Sequence, residues 1–153
     1  MESDDLALWL ALNRLVADYW AEVDENGGRE AHAFYVGDAL YAIGNNRFEG
    51  RDKIAAFYAR RSYGTVMTRH VVSNLRVDAE DRATARLAGL MSLYRADGKS
   101  PFQGARPPAM IADFEARCVR GDDGMWRFQA HVLRPFIIGS DLPASIAIRP
   151  QTL

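Results

Sequence analysis

Leu6, Leu10, Asn13, Leu15, Val16, Tyr19, Trp20 and Val23 recur at steps of three and four, which predicts one helix over residues 4–25. Asp4 and Asp5 stand near its start, where the positive end of the helix dipole favours acids, and Ser3 can cap it. E-N-G-G, residues 25–28, ends it and supplies a glycine for the left-handed position after the last turn. A short second helix is expected over 29–35, then a turn at Gly37-Asp38, a short strand over 39–43 and a hairpin turn in G-N-N-R-F-E-G. Ile54, Phe57 and Tyr58 share one face of a helix over 51–61. Long strands follow over 66–77, 83–95, 108–120 and 125–138, separated by A-E-D-R, a glycine- and proline-rich loop from Ala96, and G-D-D-G. Pro135 lies inside the last strand and points to an edge or a bulge there. Helices first and a meander of strands last is an α+β pattern: N-terminal helices packed on a curved, mainly antiparallel sheet, forming a cone with an internal pocket. The expected organisation is one domain over 1–153, with a core of about 5–138 and an extended tail over 139–153.

One strand breaks the apolar rule. In T-R-H-V-V-S-N-L-R-V-D, residues 68–78, strict alternation puts His70, Val72, Asn74 and Arg76 on one face and Val71, Ser73, Leu75 and Val77 on the other. A histidine and an asparagine on one face mark either an exposed polar face or the polar floor of a buried pocket.

Composition narrows the partners. Across 153 residues the chain is 48% hydrophobic and 25% charged, with a net charge of −1, which gives no electrostatic case for nucleic acid or an anionic membrane. No apolar run approaches the roughly 20 residues that span a bilayer. M-E-S-D-D-L-A-L-W-L is acidic where a signal peptide would be basic, so a cytoplasmic protein is expected. The single cysteine, Cys118, excludes an internal disulfide and reads as an inert thiol. His32, His70 and His131 lack metal-ligand spacing, and no glycine-rich phosphate loop occurs, so neither metal nor cofactor is expected.

Three stretches together resemble the nuclear transport factor 2-like superfamily, with its cystatin-like α+β cone, and in particular its SnoaL-like and scytalone dehydratase-like branch. They are D-Y-W-A-E-V-D-E-N-G-G at the end of the first helix, L-Y-A-I-G-N-N-R-F-E-G-R-D-K-I-A-A-F-Y, and T-R-H-V-V-S-N-L-R-V with the later V-R-G-D-D-G-M-W-R-F. The resemblance covers about residues 5–138. It implies that His70 is a pocket histidine and that Asp24, near the end of the first helix, is its acid partner. Val23 stands where those dehydratases keep a tyrosine, with Tyr41 replacing part of that phenol, and residues 83–95 hold no second histidine.

A histidine beside a carboxylate can take a proton next to a carbonyl or activate a water, without a cofactor. Tyr41, Tyr19 and Asn74 could hydrogen-bond a developing enolate oxygen. Trp20, Phe57, Met91 and Met110 are candidates to line an apolar pocket. His131, sharing a face with Arg127, Gln129 and Leu133 by alternation, is read as exterior, and His32 as surface.

The expected function is a small cofactor-independent lyase or isomerase with His70 and Asp24 as the acid–base pair, acting on an apolar cyclic or aromatic carbonyl compound. The alternative is a non-catalytic ligand-binding protein, or one like the small β subunit of an aromatic-ring-hydroxylating dioxygenase. An epoxide hydrolase would need Asp113 and Arg86 to face inward. Apolar residues on both faces of 108–120 lead us to expect a homodimer or homotrimer formed through the sheet.

Overall fold

The computed structural model describes residues 3–61 and 66–140. Most of the expected tail therefore lies outside the described residues. The elements run α1 (Ser3–Asn26), a 3-10 turn (Ala31–Phe34), β1 (Tyr35–Ile43), β2 (Asn46–Glu49), α2 (Arg51–Ala59), β3 (Val66–Ala79), β4 (Thr84–Asp97), β5 (Met110–Arg120) and β6 (Trp126–Ile138). The strands form one six-stranded sheet in the order β2-β1-β6-β5-β4-β3. Among the described strands only β1 and β6 pair in parallel. α1 lies against β3 and reaches β6, while α2 lies on β1 and β2. No helix among the described residues is long and apolar enough to cross a membrane.

Three local expectations change. The second helix is a single 3-10 turn, and β1 already begins at Tyr35. Gly37-Asp38 is no turn but a break in the β1–β6 ladder, between Tyr35 and Leu40. Four of the seven residues of G-N-N-R-F-E-G are strand, because Asn46–Glu49 pairs back onto Leu40–Ile43.

The end of α1 is built for what packs beside it. Gly27 and Gly28 have φ of 68° and 77°, and the Gly28 N–H donates to the Glu22 carbonyl at 3.1 Å, closing the helix. A Cβ on Gly28 would sit 2.4 Å from the Tyr58 ring, so this glycine also makes room for α2.

Two bulges decide which side chains face the core. In β3 the pairing with β4 shifts between Ser73 and Arg76, and Asn74 takes the left-handed φ of 54°. Gly89 on β4 accommodates this: a Cβ there would lie 2.9 Å from the Ser73 carbonyl oxygen. Before the bulge, Thr68, His70 and Val72 are the less exposed positions; after it they are Leu75 and Val77. In β6, Phe128 faces Cys118 and Ala130 faces Arg117, so Gln129 is the extra residue. Phe128, His131 and Leu133 are buried as a result. A further shift at Pro135 leaves Phe136 without an opposite residue.

The core lies between α1 and the inner sheet face, where Leu12, Tyr19, Met91, Met110, Phe114 and Phe128 are among the fully buried side chains. Burying each large apolar side chain contributes about 1.5–3 kcal/mol. The outer face of β5 does not carry the apolar row expected of it, since Asp113 and Glu115 are exposed there. Arg86 is also exposed and pairs with Glu80, so Asp113 and Arg86 form no inward epoxide-hydrolase network.

Candidate active site

Asp24 belongs to the last turn of α1, a turn without a basic residue. A carboxylate there faces the unfavourable end of the helix dipole. Three hydrogen bonds from β3 compensate. Thr68 Oγ1 donates to Oδ1 at 2.9 Å, the His70 backbone N–H donates to Oδ2 at 2.8 Å, and His70 Nδ1 lies 2.6 Å from Oδ1. The two side chains are 6% and 11% exposed, for Asp24 and His70 respectively. Burial pushes the Asp24 carboxyl up, but the hydrogen bonds from His70 and Thr68 outweigh it and hold the group below its ordinary value. Burial also pushes the His70 imidazole below its ordinary value; Asp24 opposes this, and the Arg61 guanidinium adds to it. His70 is therefore neutral near pH 7, with Nδ1–H donating a hydrogen bond to Asp24 and a lone pair on Nε2. Trp20 stacks on the imidazole, with centroids 4.0 Å apart and planes 9° apart, and fixes the ring's orientation.

Behind Trp20 lies a drier cluster. His131 is fully buried, its ring 5.6 Å from that of Trp20. Its Nδ1 lies 2.7 Å from the Tyr35 hydroxyl, which lies 2.8 Å from the Tyr19 hydroxyl. Tyr19 bonds in turn to the Tyr58 hydroxyl, and Tyr41 joins through Tyr58 and Tyr19. All four phenols are buried. Burial raises each above its ordinary pKa, Tyr19, Tyr35 and Tyr58 well above. Burial, with a smaller contribution from nearby His70, lowers His131 to about 3. The Arg61 guanidinium lies 5.6 Å from the Tyr58 ring centroid, within cation–π reach.

The structure thus brings Asp24, His70 and Trp20 together, and sets Tyr19 and Tyr41 in the adjoining phenol cluster. Asn74 is not with them. The β3 bulge leaves it exposed, which corrects the expectation that it shares the face of His70. Phe57 is half-buried against Phe48 and Tyr41 on the α2–β2 side. Met91 and Met110 are sealed in the core. His131, read as exterior, is interior because Gln129 reverses the alternation of β6. Tyr35, Thr68 and Arg61 do not stand out in the sequence, and Tyr58 does so only as part of the apolar face of the 51–61 helix. A hydroxyl two residues from His70 is the available signal for Thr68; for the others, contact arises only in the fold. Cys118 is buried, and burial raises its thiol to about 12, so it is no nucleophile. Among the described residues no group of three or more His, Cys, Asp or Glu side chains could hold a metal ion.

A family model described as a SnoaL-like domain matches residues 4–131. No curated protein sequence matches the chain. Among solved structures, a candidate scytalone dehydratase from Novosphingobium aromaticivorans is similar, with 21% identity, a TM-score of 0.76, and coverage of 94% of this chain and 99% of that one. An NTF2-like protein with a cystatin-like fold from the same organism has 19% identity, a TM-score of 0.69, and coverage of 92% and 87%. A Catenulispora acidiphila protein in complex with S-DNPA has 18% identity, a TM-score of 0.67, and coverage of 85% and 94%. At these identities the likeness to the three structures is one of fold.

Proposed function

The chain belongs to the SnoaL-like domain family, and on that premise we propose that it is a cofactor-independent lyase or isomerase whose general base is His70. The observation that carries this reading is the Asp24–His70 pair, 2.6 Å apart, backed by Thr68 and faced by Trp20. Asp24 holds the proton on Nδ1, which leaves the Nε2 lone pair to take a proton from a carbon beside a carbonyl. The charge that then forms lies between a carboxylate and an indole face, both of which stabilise an imidazolium. The aromatic surroundings favour an apolar cyclic or aromatic carbonyl compound as substrate. The likeness to a candidate scytalone dehydratase and to a ligand-bound relative supports a small-molecule site of this kind.

The test works with model compounds in place of the natural substrate. Aromatic ketones such as 1-tetralone are incubated with the protein in D2O, and loss of the α-proton signal is followed by NMR. Faster exchange with the wild type than with His70→Ala supports the reading. Equal rates with both sink it, and binding without exchange points to the non-catalytic alternative. Self-association as a dimer or trimer is also proposed; light scattering that returns a particle of 17.1 kDa would contradict it.

A further inference from the structure

Taking a proton from a carbon beside a carbonyl leaves negative charge on the oxygen, and a base alone does not stabilise it. The groups expected for that task are not placed for it. Asn74 is exposed beyond the β3 bulge. Tyr19 and Tyr41 are sealed, and their hydroxyls are taken up by the phenol cluster. Arg61, in contrast, keeps some exposure, as His70 does. It follows the last turn of α2, where its backbone N–H donates to the Tyr58 carbonyl at 3.1 Å. Its guanidinium carbon lies 5.6 Å from the Tyr58 ring centroid. No carboxylate pairs with it among the described residues. Its charge acts on both halves of the site. Burial is the main cause that holds His70 below its ordinary value, and Arg61 adds to it. Burial raises the Tyr41 phenol, and Arg61 opposes that together with the bonds to Tyr58 and Tyr19. A half-buried cation over Tyr58, felt by His70 and by Tyr41, stands at the border between the dyad and the phenols.

We propose that Arg61 is the oxyanion contact of this site: while His70 takes the proton, the guanidinium receives the charge that develops on the substrate oxygen. The proposal rests on the reading of His70 as the base of a small-molecule site. The C–H bond beside the carbonyl breaks and its proton goes to His70 Nε2. Its electron pair moves into the carbon–carbon bond, and the carbonyl pair moves onto oxygen. In an isomerase the proton then returns to another carbon; in a lyase the electron pair expels a group from the neighbouring carbon. The charges close as well. Before the step, Asp24 and Arg61 balance each other around a neutral imidazole. After it, Asp24 matches the imidazolium and Arg61 is left for the enolate. An anion in aromatic surroundings is costly without such a partner. The planar guanidinium suits the task, because it can lie over the Tyr58 ring and still direct N–H groups at an oxygen. With burial, the same charge keeps His70 free of its proton until it is needed.

The experiment uses the full chain and 4-nitrophenol, whose coloured anion carries its charge on an oxygen attached to a flat ring, as an enolate does. Nitrobenzene is the uncharged control. Both are titrated at about pH 8, where His70 is neutral. The wild type is expected to bind 4-nitrophenolate about tenfold more tightly than nitrobenzene. Arg61→Gln should remove that preference and leave nitrobenzene binding unchanged, while Arg61→Lys keeps part of it. With 1-tetralone in D2O, Arg61→Gln should slow α-proton exchange by about 10²–10³-fold, and the His70 pKa followed by 15N NMR should rise. A preference for the anion that survives in Arg61→Gln overturns the proposal. So does exchange by Arg61→Gln at the wild-type rate, which leaves the reading of His70 standing. Equal weakening of both probes makes Arg61 a support for Tyr58 and overturns it too. If Arg61→Gln loses the anion but the wild type exchanges 1-tetralone no faster than His70→Ala, the reading of His70 falls and the anion contact stands.

Discussion

His70 and His131 flank the same indole, and both are neutral near pH 7, for different reasons. His70 keeps some exposure and a carboxylate partner; burial lowers its pKa while Asp24 opposes that and stabilises the protonated ring. His131 is sealed among phenols, with no carboxylate near it among the described residues to offset burial. One imidazole is arranged to become charged, the other to stay uncharged. The partner of Nδ1 decides which, more than depth alone.

The sharpest way to break the contrast is to remove the pair that can charge. His70→Ala or Asp24→Asn should lower catalysed α-proton exchange by about 10²–10⁴-fold, measured by NMR. The contrast sharpens on acidification. The folded His131 pKa of about 3 lies below the unfolded value near 6.5, so the unfolded state takes up its proton first. The stability linked to His131 is thus fully present above about pH 6.5 and drains away as the pH falls toward 3. Urea denaturation should show a loss of roughly 2 kcal/mol between about pH 6.5 and about pH 4.5, and His131→Asn should flatten that slope. A slope unchanged by the substitution would contradict the buried neutral ring.

Gly28→Ala acts on the dry side alone. A side chain at positive φ, 2.4 Å from the Tyr58 ring, should cost about 2–3 kcal/mol in the same denaturation experiment. Thr68→Val acts on the other side. It removes one hydrogen bond from a buried carboxylate, and should cost about 1–2 kcal/mol while raising the Asp24 pKa. NMR titration of the Asp24 carboxyl carbon checks the direction.

The elements themselves are largely legible. The period of Leu15, Val16, Tyr19, Trp20 and Val23 marks α1 and the buried face of its second half, while Leu6 and Leu10, read on the same face, are exposed; the glycines mark its end. The pairing of Asp24 with His70 is available only through resemblance, since 46 residues separate them. What fails is alternation. It puts Asn74 inside, where the structure has it outside, and His131 outside, where the structure has it inside. In each case one inserted residue reverses the faces of its strand. Gly89, a glycine within a strand, is the visible trace of the first bulge. The second bulge, at Gln129, leaves no comparable mark. The tyrosine chain draws on α1, β1 and α2 and ends on β6, so no local pattern could reveal it.

The backbone bond from His70 to Asp24 has one more consequence. β3 is the last strand of its sheet, and an edge strand offers its outward amides to any passing extended chain. At His70 that amide is already taken by the carboxylate that ends α1. The acid that orients the imidazole also closes this point of the sheet against strand addition, so the protection of the edge and the aim of the ring depend on the same two oxygens.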